Sequence, residues 1–199
     1  MPTVLVIYAT THGHTAKIAS ALAGAIRGAS LDVVCRDVAD PRDAKASDYD
    51  AVVAGASLHA GSHQREMVDW VKANRESLKQ RPSAFFSVSL AAAEDTADAH
   101  EATQECLDRF LEQTGWTPEL TTRVAGCLQY LEYGPLLRLM MRLKMRRGGH
   151  PTDASRDHEY TDWVAVAGFG RLPPSPPAAS RGAERLGLRF HMTPAAVTE

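Results

Sequence analysis

Residues 3–15, TVLVIYATTHGHT, decide the fold. The apolar run VLVIY at 4–8 is rich in β-branched residues and predicts a buried strand of a parallel sheet. A loop of small and hydroxyl-bearing residues ends this strand, and apolar residues at helical spacing begin directly after Thr15. A strand that leads through such a loop into a helix N-terminus is typical of a phosphate-binding site.

The loop has the chemistry to hold one phosphate group without a cationic side chain. Thr10, Thr11 and Thr15 offer hydroxyls, and Gly13 lets the backbone approach an anion closely. The first amides of the helix add donors and a positive dipole. The loop has neither the lysine of GxxxxGK[ST] nor the three glycines of GxGxxG, so nucleoside triphosphate and dinucleotide sites are both disfavoured.

Strands and helices alternate after this loop. Apolar positions at helical spacing, including Ile18 and Leu22, predict a first helix that ends near Gly28. A long helix that ends at Gly115 is expected to turn Ala99, Ala102, Cys106, Phe110 and Leu111 toward the core. The remaining predicted strands are 31–35, 49–56, 83–90 and 124–128, and a helix over 67–78 lies between the second and third of these.

This alternation predicts an α/β protein, a three-layer sandwich whose parallel sheet is covered by helices on both faces. Ligands bind such sheets beyond the carboxyl ends of the strands, where the strand order reverses. Three loops expected there, 10–15, 57–63 and 87–95, consist largely of small, polar or hydroxyl-bearing residues. A planar group attached to one phosphate would fit a site made from all three, which matches flavin mononucleotide (FMN).

Length and composition predict a soluble globular protein. The 199 residues suffice for one ordinary domain with a buried core, and the net charge of −2 gives no general attraction to nucleic acid. No targeting segment precedes the first strand and no apolar run is long enough to span a bilayer, so a cytoplasmic location is expected. Cys35, Cys106 and Cys127 are expected to be reduced thiols, the last two in the core.

The regular alternation stops at residues 131–157. Leucine and methionine are interleaved with basic residues here. If this segment is helical, Arg138, Arg142 and Arg146 form a basic stripe at four-residue spacing, opposite an apolar face.

A last helix follows this segment. Thr161 is expected to cap it, and Trp163 and Val166 are expected to face inward. The predicted domain is 1–171, and the Pro- and Ala-rich residues 172–199 are predicted to form a flexible tail.

Three segments besides the predicted phosphate loop (residues 10–15) carry a family resemblance: VVAGASLHAGSHQ at 52–64, FFSVSLAAA at 85–93 and SRDHEYTDW at 155–163. The chain resembles flavodoxin-fold proteins, and more closely the menaquinone-dependent protoporphyrinogen oxidase (dehydrogenase) family, over about 3–169. The resemblance implies a five-stranded parallel sheet of order 2-1-3-4-5 with an insert after the fifth strand. It also implies a non-covalent FMN that takes electrons from protoporphyrinogen IX, in haem biosynthesis, and passes them to a quinone.

The resemblance also assigns residues to the cofactor. The two loops expected along the edges of the flavin ring, 57–61 and 87–93 (the ring loops), contain no Trp or Tyr that could stack on the flavin. This predicts an open ring face, over which Tyr130 or Tyr133 would close as a lid. The implied phosphate site is Thr10, Thr11, His12, Gly13, His14 and Thr15; one ring edge meets Ala56, Ser57, Leu58, His59, Ala60 and Gly61, and the other meets Ser87, Val88, Ser89, Leu90, Ala91, Ala92 and Ala93.

His59 is the side chain singled out for catalysis. Two-electron reduction leaves negative charge on the flavin, so a nearby donor or cation supports the reduced form. The alternative is that His59 is a solvated loop residue. The spacing of His59 and His63 permits a pair of metal ligands, but no third ligand accompanies them, and no metal is predicted.

Three interpretations of the basic insert remain open. In the first, the insert lies on an anionic membrane surface at the inner face of the cell membrane, where quinone is present. In the second, its arginines bind the propionates of a tetrapyrrole. The third interpretation is an amphipathic helix packed on the domain with a solvated charged face. For the whole chain, a flavodoxin-type electron carrier and an NAD(P)H:quinone reductase are the alternatives to a protoporphyrinogen dehydrogenase.

Overall fold

The computed structural model describes residues 1–29, 31–40, 44–147 and 153–171. The predicted tail 172–199 and part of the insert, 148–152, lie outside the described residues. The strands are β1 (Thr3–Ala9), β2 (Asp32–Asp37), β3 (Ala51–His59), β4 (Ser62–His63), β5 (Ser83–Ser89), β6 (Leu120–Ala125), β7 (Cys127–Leu128) and β8 (His158–Glu159), and the helices are α1 (His14–Arg27), α2 (Arg65–Leu78), α3 (Ala97–Thr114), α4 (Pro135–Arg147) and α5 (Trp163–Arg171).

The main sheet has the order β2-β1-β3-β5-β6, and these five strands are parallel. Val6 in β1 pairs with Cys35 on one side and with Val53 on the other. This confirms the predicted order 2-1-3-4-5, since β5 and β6 are the fourth and fifth main strands. The order reverses between β1 and β3, so the loops that follow these two strands meet at one edge of the sheet.

Two apolar layers cover the sheet. On one face, Leu5 and Phe85 pack with Met67 of α2 and Phe110 of α3. On the other face, the apolar residues of α1 and Val166 of α5 pack against the strands. Fully burying an apolar side chain of this size contributes about 1.5–3 kcal/mol, so both layers stabilise the sheet.

The inner face of α3 differs from the prediction. Ala99 and Phe110 are buried as expected, but Thr103 and Leu107 are buried in place of Ala102 and Cys106. A buried threonine is tolerated because its hydroxyl donates to the Ala99 carbonyl oxygen at 2.8 Å. The hydroxyl is thereby satisfied within the helix, which the apolar pattern does not reveal.

The predicted fifth strand over 124–128 is two strands. β6 ends at Ala125, and β7 pairs antiparallel with β8 in a separate two-stranded sheet. Gly126 lies between them, and its amide still donates to the Ser89 carbonyl oxygen at 2.9 Å. The chain therefore leaves the main sheet immediately before the insert.

The last helix also begins differently from the prediction. Asp162 is its cap, because Oδ1 accepts hydrogen bonds from the amides of Val164 and Ala165 at 2.9 and 3.0 Å. Val166 is buried as expected, but Trp163 is 39% exposed, so the inward orientation predicted for it is wrong.

Candidate active site

The phosphate loop joins β1 to α1 in a conformation suited to an anion. Gly13 has a φ of +82°, and its amide donates to Thr10 Oγ1 at 3.0 Å. Among the described residues, no side chain caps the first turn of α1, and no acidic residue lies in that turn. No acidic residue of α1 itself therefore competes with an anion for the helix amides and dipole.

A cavity of about 680 Å³ opens at the carboxyl ends of the strands, beside this loop. It is lined by three predicted groups of residues together with residues of α3 and of the insert region. No acidic residue is among the lining residues within the described part of the chain. They are Thr10, His12, His14, Thr15, Ser57, Leu58, His59, Ala60, Gly61, Val88, Ser89, Leu90, Ala91, Ala102, Thr103, Cys106, Gly126, Cys127, Gln129, Tyr133 and Met140.

Six predicted cofactor-binding residues are not among those that line this cavity. Thr11 and Gly13 belong to the loop, and Ala56 is completely buried in β3. Ala92 lines a separate cavity of about 160 Å³ that also contacts α5. The remaining two residues of this set are Ser87, which is buried in β5, and Ala93, which closes a short turn after that strand.

Gln64 links the phosphate loop to the first ring loop. Its Nε2 donates to Ser57 Oγ and, at 3.4 Å, to Thr11 Oγ1. Its Oε1 is buried and makes no hydrogen bond to any described residue. A buried acceptor of this kind fits a site that takes a polar ligand.

His59 lies at the mouth of the cavity, in the hairpin of β3 and β4. The two turn residues, Ala60 and Gly61, have φ values of +48° and +80°, as a two-residue hairpin turn requires. Its Nε2 lies 3.2 Å from Ser57 Oγ, and its ring lies 6.0 Å from that of His12. Partial desolvation, and secondly the charge of His12, lower the pKa of His59. The neutral imidazole is therefore favoured, so it would act by hydrogen bonding rather than as a cation.

His63 lies away from His59, although only three residues separate them. Its side chain is buried, and Nε2 lies 2.9 Å from Ser87 Oγ. The rings of Phe85 and Phe110 flank the imidazole. Burial lowers the pKa of His63 to about 4, so it is a neutral core residue at neutral pH.

His14 is buried at the first turn of α1. Its Nε2 lies 2.7 Å from Thr161 Oγ1. Burial lowers the pKa of His14, and the nearby Glu159 carboxylate opposes this effect. That nitrogen is therefore occupied by the protein, while the adjoining helix amides remain available to an anion.

Two cysteines predicted to be in the core are half-buried and line the cavity. They are Cys106 on α3 and Cys127 on β7. Burial, and secondly the charges of Asp157 and Glu159, raise the pKa of Cys127 to about 11. Its thiol therefore stays protonated at neutral pH.

The insert contributes part of the cavity wall through Tyr133 and Met140. The Tyr133 ring lies 5.3 Å from that of His12, beside the phosphate loop. A lid role for Tyr133 stays a prediction. Tyr130 is completely buried in a small cluster with Leu128 and could close over a ring only if that cluster came apart.

Helix α4 presents an apolar stripe to solvent. Leu136, Leu139, Met140 and Leu143 follow the spacing i, i+3, i+4, i+7 and are 51–82% exposed. All four side chains are more than half exposed, and Met140 is the one among them that also lines the cavity. A packed apolar face at these four positions, as the third interpretation requires, is therefore contradicted.

The predicted arginines of α4 have different surroundings. Arg138 donates through Nε to the Tyr130 carbonyl oxygen at 2.8 Å and through Nη2 to that of Leu131 at 3.4 Å, which ties the helix to its own base. Arg142 and Arg146 are exposed. Within the described residues, no helix has the length and apolar character needed to cross a membrane.

The comparisons with known proteins identify the class. The Flavodoxin domain model matches residues 5–155. Oxidised Flavodoxin 1 from Bacillus cereus has a TM-score of 0.50 and 19% identity, over 84% of this chain and 94% of that chain. Rubredoxin oxygen:oxidoreductase from Desulfovibrio gigas has a TM-score of 0.51 and 16% identity, over 85% of this chain and 34% of that chain. The chain is a flavodoxin-like flavoprotein, and FMN is the cofactor that its loop and cavity fit.

Two relatives narrow the class to a family. The chain is 35% identical to the protoporphyrinogen IX dehydrogenase (quinone) of Leishmania major, with 89% of this chain and 80% of the relative covered. It is 32% identical to the protein of the same name from Escherichia coli strain K12, with 84% and 92% covered. The chain therefore belongs to the protoporphyrinogen IX dehydrogenase (quinone) family of oxidoreductases.

Sequence reasoning missed the residues that join the parts of the site. Gln64 stands inside a segment that carries the resemblance, but no spacing rule marks it as a bridge. Gln129 Nε2 donates to the His12 carbonyl oxygen at 2.8 Å across 117 residues of chain. Thr161 showed a signal for a helix cap, yet its hydroxyl donates to the Ala125 carbonyl oxygen at 2.7 Å.

Proposed function

We propose that this protein oxidises protoporphyrinogen IX to protoporphyrin IX with bound FMN and passes the electrons to a quinone. The observation that carries the proposal is the cavity of about 680 Å³, which extends from the phosphate loop to the insert. The predicted ring loops at 57–61 and 87–93 contain no Trp or Tyr. Space beside the flavin is therefore available to a bulky substrate. The names of the two relatives support the same reaction.

The residues of the chain would divide the work in the following way. Thr10, Thr15 and the first amides of α1 would hold the phosphate, and the two ring loops would hold the edges of the flavin. When bound, FMN supplies the hydride acceptor. Complete oxidation of the substrate requires the removal of six electrons, two per catalytic cycle. The hydrogen bonds of Gln64 to Ser57 and Thr11 would hold the first ring loop in position relative to the phosphate loop.

His59 is the proposed site of support for the reduced cofactor. Its Nε2 lies beside Ser57 Oγ at the mouth of the cavity, and its neutral form is favoured. A neutral imidazole can donate a hydrogen bond from one ring nitrogen while it accepts at the other. An unchanged flavin midpoint potential in His59→Ala would contradict this role.

A direct assay tests the reaction. Protoporphyrinogen IX prepared anaerobically is mixed with a menaquinone analogue and the FMN-loaded protein, and porphyrin fluorescence is followed. We expect fluorescence to appear in proportion to enzyme and to require both FMN and quinone. An FMN-loaded protein that leaves fluorescence at the uncatalysed rate would contradict the proposal. Rapid flavin bleaching by NADH or NADPH in that protein would point to the nicotinamide-dependent alternative.

We also propose that α4 places the protein on the cytoplasmic face of an anionic membrane. The proposal is supported by the exposed apolar stripe Leu136, Leu139, Met140 and Leu143. Burying each of these side chains in the membrane interface would contribute about 1.5–3 kcal/mol to binding. Arg142 and Arg146 flank the stripe and would add about 1 kcal/mol each near anionic lipid. Met140 belongs both to the stripe and to the cavity wall, so a quinone in the lipid would lie close to the flavin.

Vesicle sedimentation tests the membrane proposal. The protein is expected to sediment with vesicles that contain phosphatidylglycerol, and Leu139→Ser/Leu143→Ser and Arg142→Glu/Arg146→Glu are each expected to remain in solution. Arg65→Glu/Lys72→Glu on α2 makes the same charge change on an exposed surface and should sediment like the parent protein. If the parent protein does not sediment, the membrane role is wrong. A raised KM for protoporphyrinogen in Arg142→Glu/Arg146→Glu would then favour propionate binding.

A further inference from the structure

Two side chains from the base of the insert hold the phosphate loop. Gln129 follows β7 and donates through Nε2 to the His12 carbonyl oxygen at 2.8 Å. Thr161 follows β8, and its Oγ1 lies 2.7 Å from His14 Nε2. Both Gln129 and His14 are buried. The loop is therefore held from the two chain segments between which the insert is built.

The direction of the second hydrogen bond follows from the hydroxyl group of Thr161. Its one hydrogen is donated to the Ala125 carbonyl oxygen at 2.7 Å. The oxygen must then accept from His14, so His14 carries a hydrogen on Nε2. This places a chain of two hydrogen bonds between the end of β6 and the first residue of α1.

The segments that carry Gln129 and Thr161 form one unit, which we term the clasp (residues 126–133 and 157–162). Within it, Cys127 pairs with Glu159, and the Tyr160 amide donates to the Gly126 carbonyl oxygen at 3.1 Å. The Leu131 amide donates to Asp157 Oδ1 at 3.0 Å, just before α4 begins. Movement of the clasp would therefore move both the loop and the base of α4.

We infer that Gln129 and Thr161 are positioning residues that fix the phosphate loop for FMN and couple occupancy of that loop to the order of the insert helix. Gln129 acts through the His12 carbonyl group, and Thr161 acts through the His14 imidazole. Neither side chain needs to touch the cofactor. The inference rests on FMN binding at the loop and is independent of which substrate is oxidised.

Comparison of FMN with riboflavin separates this role from a general structural one, because riboflavin lacks the phosphate. Gln129→Leu and Thr161→Val remove the hydrogen bonds at nearly constant volume. We expect each to raise the Kd for FMN about three- to ten-fold and to leave the Kd for riboflavin within about two-fold, as measured by quenching of flavin fluorescence. Thr161→Ser keeps the hydroxyl and should restore the affinity for FMN.

Matched controls are available on exposed surfaces. Gln104→Leu on α3 and Thr121→Val on β6 make the same chemical changes away from the loop and should leave both affinities unchanged. If Gln129→Leu does not fold, Gln129→Asn replaces it, because its amide is one methylene shorter and falls short of the His12 carbonyl group. Equal losses of affinity for FMN and riboflavin, or no loss for FMN, would overturn the positioning role.

Hydrogen exchange tests the coupling to the insert. FMN is expected to slow amide exchange in α4 (135–147) of the parent protein. In Gln129→Leu/Thr161→Val, the factor by which FMN slows this exchange should be smaller by about three-fold or more. The two proteins are compared at FMN concentrations that saturate each of them. Exchange in α2 serves as the internal reference. Equal protection of α4 by FMN in the two proteins would overturn the coupling, and so would the absence of protection in the parent protein. Neither result depends on turnover, so failure of the inference is distinguishable from failure of the proposed reaction.

Discussion

Protonation of His63 is expected to destabilise the protein in mild acid. The imidazole is 8% exposed, accepts or donates one hydrogen bond with Ser87 and lies against two phenylalanine rings. Burial lowers its pKa from 6.5 to about 4. Between these values the unfolded chain binds the proton more tightly than the folded chain does. Stability is therefore fully present above the unfolded pKa of 6.5 and is lost as the pH falls toward 4.

The magnitude follows from the two pKa values. At 1.36 kcal/mol per pKa unit, the interval from 6.5 to about 4 corresponds to a maximum loss of about 3 kcal/mol in the free energy of unfolding. About 2 kcal/mol of this loss falls between about pH 7.5 and about pH 5. This change is large for a domain whose total stability is of the order of 5–15 kcal/mol.

The assay is urea unfolding at these two pH values, followed by circular dichroism at one FMN concentration. His63→Gln keeps a hydrogen-bonding side chain but does not titrate. The parent protein should lose about 2 kcal/mol more than His63→Gln between the two pH values, whereas the exposed control His100→Gln should behave like the parent. His14 and His59, whose pKa values are also lowered, contribute equally to both proteins and cancel. Equal losses in the parent and His63→Gln would refute the reasoning.

Substitutions at four further positions have defined outcomes. Gly55→Ala would place Cβ 1.9 Å from the Phe86 ring, so urea unfolding should show a loss of about 1–3 kcal/mol that Phe86→Leu partly restores. Ala60→Gly removes the backbone strain of an alanine in the left-handed region and should raise the free energy of unfolding by up to about 1 kcal/mol. Gly61→Ala introduces such strain and should lower it by about 1–2 kcal/mol. Thermal unfolding checks the pair, and the reverse order would contradict the turn geometry. Thr15→Val should raise the Kd for FMN about ten-fold or more, and an unchanged fluorescence titration would show that its hydroxyl does not meet the phosphate.

The amino-acid sequence by itself determined the architecture and the chemistry of the loops. The run VLVIY identifies β1, and the hydroxyl-rich loop after it predicts a phosphate site, because both signals depend on residues that are close in the chain. The alternation of later strands and helices predicts the parallel sheet for the same reason. The sheet order observed in the structure is the predicted one.

Only the tertiary structure decided which side chains meet. His59 and His63 look equivalent in the sequence, yet one lies at the mouth of the cavity and the other is buried against Ser87. Gln129 reaches His12 across 117 residues, and α4 turns its apolar stripe outward. A periodic pattern reports the conformation of one element. The partners of a side chain depend on how separate elements pack, and local patterns carry no information about that packing.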